Sequence, residues 1–164
     1  MRIVVLFAAL FSFVRVTSQD MDPERLGSLI KSVTDSVETH GNSYRFVYKE
    51  VFVFTIYDEN ANRMRIISPI VQRDEIGEEE LLNALVANFH SALDVKYALS
   101  DEIIWSVFIH PLRELSDHQV LDAINQVYRA NVTFGTTYSS TDLVFPGNTE
   151  KKNPPKYKKL IERY

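Results

Sequence analysis

Four histidines, His40, His90, His110 and His118, are the side chains of this sequence best suited to hold a metal ion or move a proton near neutral pH. A zinc-binding helix sets two imidazoles at i and i+4, on one face and one turn apart, and no pair here has that spacing. His110 and His118 lie eight positions apart in IIWSVFIHPLRELSDHQV and would meet only through the path of the loop between them. His90 and Asp94 are four apart, the spacing of an ordinary surface pair on a helix. The chain has no cysteine, which excludes disulfides, thiolate nucleophiles and cysteine-ligated zinc or iron–sulfur centres. Serines are plentiful, yet no G-x-S-x-G elbow presents one as a nucleophile, and the five glycines form no phosphate-cradling loop. Glu78-Glu79-Glu80 suits the positive end of a helix better than paired acid–base work. The expectation is no catalytic residue, no metal ligand and no cofactor. Asn131-Val132-Thr133 is a glycosylation sequon at a helix end.

The elements that carry these residues have their own signals. Ile103, Trp105, Val107 and Ile109 alternate onto one face of a strand that Pro111 ends. Ser116 and Gln119 then form a capping box, with Leu115 and Val120 at the two positions of a hydrophobic staple. Val120, Leu121, Ile124, Val127 and Tyr128 make the buried stripe of the helix that follows, and Gly135 stops it. The histidine-bearing stretch is therefore a strand, a turn and a helix start, and architecture accounts for it without chemistry.

Upstream, Asp22-Pro23-Glu24 opens a first helix with an N-cap acid and a proline at the first helical position. Leu26, Leu29, Ile30, Val33 and Val37 form its apolar stripe, and His40-Gly41 is expected to close it. Tyr44 to Tyr57 is strand material, interrupted at Lys49-Glu50 by a bend, bulge or break. Asp58 to Asn62 is a polar turn, and Arg63 to Gln72 is the return strand, with Pro69 suggesting an edge or a strand terminus. A helix with Glu78 to Glu80 at its start is expected to bury Leu81, Leu82, Leu85, Val86, Phe89 and Leu93. Val95 to Leu99 pairs with Ile103 to His110 across Ser100-Asp101-Glu102. The predicted fold is an α+β sandwich, α-β-β-α-β-β-α, with about three helices on an antiparallel sheet. Phe46, Tyr48, Phe52 and Phe54 all fall on even positions, and unbroken alternation sets them on one face. That face is either core beneath the helices or an open contact surface for a peptide or a second copy.

The two ends of the chain differ from its body. Arg2, the apolar run Ile3 to Val14 and Val16-Thr17-Ser18 before Gln19 have the layout of a secretory signal peptide, residues 1–18, cut after Ser18. The expected product is exported, periplasmic or secreted, with a single α+β domain over residues 19–140 and a basic Pro/Lys-rich tail over 141–164. The formal charge of the chain is −4. Without the leader's two arginines it becomes −6, and residues 150–164 carry six cations against two acids, which leaves residues 19–149 near −10. So acidic a body argues against a nucleic-acid partner. Lys151, Lys152, Lys156, Lys158 and Lys159 are the candidate contact with a polyanion or a membrane surface.

From Arg63 to about Gly135 the chain resembles the type III secretion chaperone-like fold, including YbjN-type proteins. The run EELLNALVANFHSALDVKYALSDEIIWSVFIHPLRELSDHQVLDAINQVYRAN carries the resemblance: a helix rich in leucine and asparagine, the YAL strand, a W-x-x-F-I-H-P-L strand ending in proline, and a capped helix. The resemblance implies a non-enzymatic, chaperone-like domain, often a homodimer, that binds another polypeptide along its sheet or helix faces. The competing reading is a small exported hydrolase or ligand-binding protein, with a pocket between sheet and helices near His110 and Asp117.

Overall fold

The computed structural model describes residues 20–143; the leader and the lysines of the basic tail lie outside the described residues. Helix α1 (Pro23–Lys31) is followed by four strands, β1 (Val37–His40), β2 (Ser43–Tyr48), β3 (Val51–Asp58) and β4 (Arg63–Gln72). A short 3-10 turn at Arg73–Glu75 leads to α2 (Glu78–His90), the hairpin β5 (Lys96–Ser100) and β6 (Ile103–His110), and α3 (Asp117–Thr133). All six strands join one antiparallel sheet in the order β1-β2-β3-β4-β6-β5. The α+β class and the three helices are as the sequence indicates, but the sheet gains two strands.

One added strand, β1, comes from the two-residue Gly41-Asn42 turn, and the other from a tight turn without the usual marks. Lys49 and Glu50 take left-handed backbone, φ +48° and +69°, and close a two-residue hairpin that splits Tyr44–Tyr57 into β2 and β3. Such primed turns favour Asn-Gly, so a Lys-Glu pair does not single out the break from the bend or bulge that the sequence also allows. Helix α1 stops at Lys31, and Ser32 caps it through its backbone N–H. Val37, assigned to the α1 stripe by spacing alone, instead starts β1 opposite Phe46. Gly41, at φ +52°, lies in the β1–β2 turn and does not cap a helix. Pro69 is another departure, because β4 is a central strand. The proline is tolerated beyond the last β3–β4 register pair, and at the point where the β4–β6 register slips between Pro69 and Val71.

Helix α3 covers one face of the sheet. Its start follows the capping box, with Ser116 Oγ accepting from the Gln119 amide at 3.3 Å and the Ser116 amide donating to Gln119 Oε1 at 2.8 Å. Leu115 and Val120 are both buried beside that cap. Val120, Ile124 and Val127 pack on Phe46, Val53, Ile66, Ile104 and Phe108 in one core. Helix α1 is held to α3 by Arg25, whose guanidinium grips the Asp117 carboxylate at 2.6 and 2.9 Å. That pairing holds the Asp117 carboxyl below its ordinary range. After α3 the chain turns back at Gly135, φ +80°. Ser140 then donates to Ala92 through its hydroxyl and to Ser91 through its amide. This return seals an aromatic cluster in which Tyr97, Phe134 and Tyr138 meet edge to face at 5.1–5.9 Å.

Two phenols of that cluster make the fold sensitive to alkali. Burial pushes the Tyr97 hydroxyl far above its ordinary value and the Tyr138 hydroxyl up to about 12. A raised phenol pKa stabilises the fold at any pH below the unfolded value near 10, and that contribution is lost as pH climbs through the folded value. Urea midpoints are therefore expected to fall steeply between about pH 10 and 12. Tyr138→Phe should flatten part of that fall, and identical profiles for the two proteins would disprove the assignment.

Candidate protein-contact surfaces

The histidines are dispersed. His40 is on β1, 3.6 Å from Glu38, His90 ends α2, His110 ends β6 with Nδ1 at 2.8 Å from the Pro111 carbonyl oxygen, and His118 is exposed in the first turn of α3. Among the described residues no group of three His, Asp, Glu or Cys side chains converges as a metal site would require. Asp94, Phe108, His110, Gln119, Asp122 and Gln126 line a half-open cleft of about 250 Å³. Here is the carboxylate-and-histidine pocket that a hydrolase would need, but its lining includes no serine, threonine or cysteine. The buried Gln126 amide donates to Asp122 at 2.8 Å and to Asp94 at 3.3 Å, so one neutral group ties both carboxylates. Asp117, the other acid expected near such a pocket, is engaged by Arg25.

The Asn131 sequon is not presented to solvent. Asn131 is fully buried, and its Nδ2 donates to Ser68 Oγ and to the Pro69 carbonyl, both at 2.8 Å. Ser68 in turn donates to the Phe52 carbonyl at 2.6 Å, and Ser106 Oγ donates to the Val127 carbonyl at 3.1 Å. A polar seam thus ties α3 to β3, β4 and β6 beneath the register slip. A glycan on that nitrogen would have to break the seam.

The four candidate aromatics split between two faces. In the β2–β3 register Phe46 opposes Val53, Tyr48 opposes Val51, Val47 opposes Phe52 and Arg45 opposes Phe54. The two-residue turn makes even positions of β2 share a face with odd positions of β3. Phe46 is only 2% exposed beneath α3, and Tyr48 packs edge to face on Tyr128 at 5.6 Å. Phe52 and Phe54 stand half-buried on the opposite face, under the Arg45 guanidinium, at 5.2 and 5.8 Å from its carbon. Trp105 joins them at 6.3 Å from Phe54. Ile56 and Ile109 extend this open face and are 40 and 61% exposed.

A second apolar surface lies where the sequence predicts core. Helix α2 buries Ala84 and Ala87, with Leu81 partly buried, and docks on the β5 edge of the sheet. Asn88 fixes the contact: its amide accepts from the Tyr97 N–H at 2.7 Å and donates to the Tyr97 carbonyl at 3.1 Å. Small alanines let the helix backbone approach, and the bulky residues turn outward. Leu82, Leu85, Val86 and Phe89, at i, i+3, i+4 and i+7, are 62, 65, 38 and 83% exposed. The expectation that they are core is overturned, because spacing identifies an apolar stripe but not which side of the helix meets the sheet. The exposed Leu99 of β5 lies on the strand next to this ridge.

No family model matches this chain, and no curated protein matches it. Solved structures do. A chain of the HopA1–SchA chaperone–effector complex superposes with TM-score 0.50 at 11% identity, covering 65% of this chain and 92% of its own. The Yersinia pestis type III secretion chaperone SycH, in complex with a stable fragment of YscM2, gives TM-score 0.53 at 14% identity and coverages of 68% and 98%. A chain of the ExsC–ExsE complex gives 0.52 at 11% identity, covering 66% and 90%. The fold is that of the type III secretion chaperones.

The division of the aromatics has a measurable consequence. Phe46→Ala is expected to cost about 3–5 kcal/mol in urea unfolding, and Phe52→Ala roughly 1 kcal/mol or less. Equal losses at both positions would contradict the two-faced hairpin.

Proposed function

We propose that the protein is an exported, non-enzymatic, chaperone-like module that pairs with a second copy of itself through α2 and receives other polypeptides on its sheet. The observation that carries this reading is the uncovered ridge Leu82, Leu85, Val86 and Phe89. A monomer gains nothing by holding such side chains in water, and burying each stabilises an interface by about 1.5–3 kcal/mol. The charges favour a second copy as the partner. Glu78, Glu79 and Glu80 lie at the N-terminus of α2 and His90 at its C-terminus. Two ridges packed antiparallel across a twofold axis place the acids of one helix beside the C-terminal end of the other. The fold neighbours support a protein-binding role, since their structures hold chaperone–effector and similar complexes. The case against an enzyme rests on the cleft, whose two aspartates share the Gln126 amide and whose lining holds no serine, threonine or cysteine.

Export rests on the leader sequence alone. The lysines Lys151, Lys152, Lys156, Lys158 and Lys159 form a basic cluster in the sequence, and contact with a polyanion or membrane surface is assigned to them.

Light scattering tests the pairing. The protein should run at twice its monomer mass, and Leu85→Glu combined with Phe89→Glu should give monomers with unchanged circular dichroism, because both side chains are exposed. A monomeric wild-type protein at tens of micromolar would defeat the reading. Exported material should begin at Gln19, and mass spectrometry of the N-terminus would expose an uncleaved leader.

A further inference from the structure

The open face of the sheet has a charge pattern of its own. Residues 19–149 carry a net charge near −10, yet the strand residues pointing away from α3 include Arg45, Arg63, Arg65 and Lys96 against only Glu38 and Asp58. Two of these cations are occupied: Lys96 donates to the carbonyls of Asn88 and Leu93, and Arg63 donates to the Asn62 carbonyl at 3.0 Å. Arg45 is stacked over Phe52 and Phe54 and lies 4.0 Å from Glu38. Arg65 is different. It is exposed, and among the described residues no hydrogen bond or ion pair engages its side chain.

The register gives Arg65 its setting. Ile56 is directly opposite it on β3 and Ile109 directly opposite on β6, so one row across the face reads isoleucine, arginine, isoleucine. A groove of about 140 Å³ opens there. Adjacent strands are ~4.8 Å apart, which puts the two isoleucines roughly 10 Å from one another. An extended polypeptide presents side chains on one side at every second residue, about 6.7 Å apart, so with one of them at Arg65 the next on either side comes within side-chain reach of an isoleucine ~4.8 Å away.

We infer that this face takes an extended peptide segment in which one carboxylate is flanked, two residues away on each side, by apolar side chains, and that Arg65 selects the carboxylate. The inference rests on the polypeptide-binding reading above and adds the chemistry of the partner. A second copy of the chain is a poorer occupant, because twofold packing of this face would bring Arg65 toward its own counterpart. A single-stranded nucleic acid is also poorer. Phe52 and Phe54, two of the three aromatics of the face, lie under the Arg45 guanidinium, and one unengaged arginine cannot track a phosphate backbone.

Trp105, the only tryptophan of the chain, lies on the same face and reports occupancy by fluorescence. The full chain would be titrated with Ac-Ser-Phe-Ser-Glu-Ser-Phe-Ser-NH2, with the same peptide carrying Lys in place of Glu, and with a dodecamer of thymidylate. The glutamate peptide should bind at least about fivefold more tightly than the lysine peptide. Arg65→Glu should reverse that order, and Arg65→Gln should bring the two peptides level. Equal affinities for the two peptides, or an order unchanged in Arg65→Glu, would overturn the selectivity and leave polypeptide binding intact. Absence of binding by either peptide would overturn both, while pairing through α2 is read separately by light scattering. Thymidylate binding that Arg65→Glu abolishes would overturn the inference in favour of a nucleic-acid platform. Each variant alters an exposed side chain, and unchanged circular dichroism verifies the fold.

Discussion

An antiparallel sheet of six strands has two faces to protect from water, and α3, the longest helix among the described residues, lies on a single face. Most features of the structure follow from that shortage of cover. Helix α3 spends its apolar stripe on β3, β4 and β6, and α1 packs against α3 through the Arg25–Asp117 pair. Helix α2 meets the sheet chiefly at its β5 edge, through alanines and the Asn88 amide. What no described helix covers is the far face, with Phe52, Phe54, Trp105, Ile56 and Ile109, and the outer side of α2, with Leu82, Leu85, Val86 and Phe89. Both are too apolar to be indifferent to water and too well formed to be accidents of packing.

The covered side is polar at one place, where β4 slips register. Asn131, Ser68 and Ser106 satisfy one another and nearby carbonyls across α3, β3, β4 and β6. Proline in a central strand removes a ladder donor, and the seam restores partners for the carbonyls that the slip displaces. The same seam explains why a sequon in the last helix is not an exposed acceptor: its asparagine is structural.

Much of this was legible in the residues. Asp22-Pro23, the Ser116–Gln119 box and the polar turn before Arg63 each act through local chemistry, and local chemistry can be read from a few neighbours. The misreadings have a common cause, which is that the deciding contacts are remote. Val37 fits a helical stripe until Phe46 offers it a ladder. The leucines of α2 fit a core until the alanines between them prove to be the side that reaches β5. Lys49-Glu50 reads as a bend, bulge or break without a choice among them, because neither residue favours a left-handed backbone, yet the pairing of β2 with β3 holds both there. The candidate contact residues divided for the same reason. Phe46 and Tyr48 could be told from Phe52 and Phe54 only by counting residues in the turn.

That count has an evolutionary corollary. Side chains in a strand alternate, so parity decides which of two neighbouring residues is dry. One codon gained or lost between Tyr48 and Val51 would meet a β3 already fixed by its pairing with β4, and the turn itself would have to absorb the change as a bulge or an altered loop. Lineages of this chain should therefore keep two residues there and favour at both positions those that accept a left-handed backbone, such as Asn, Asp and Gly.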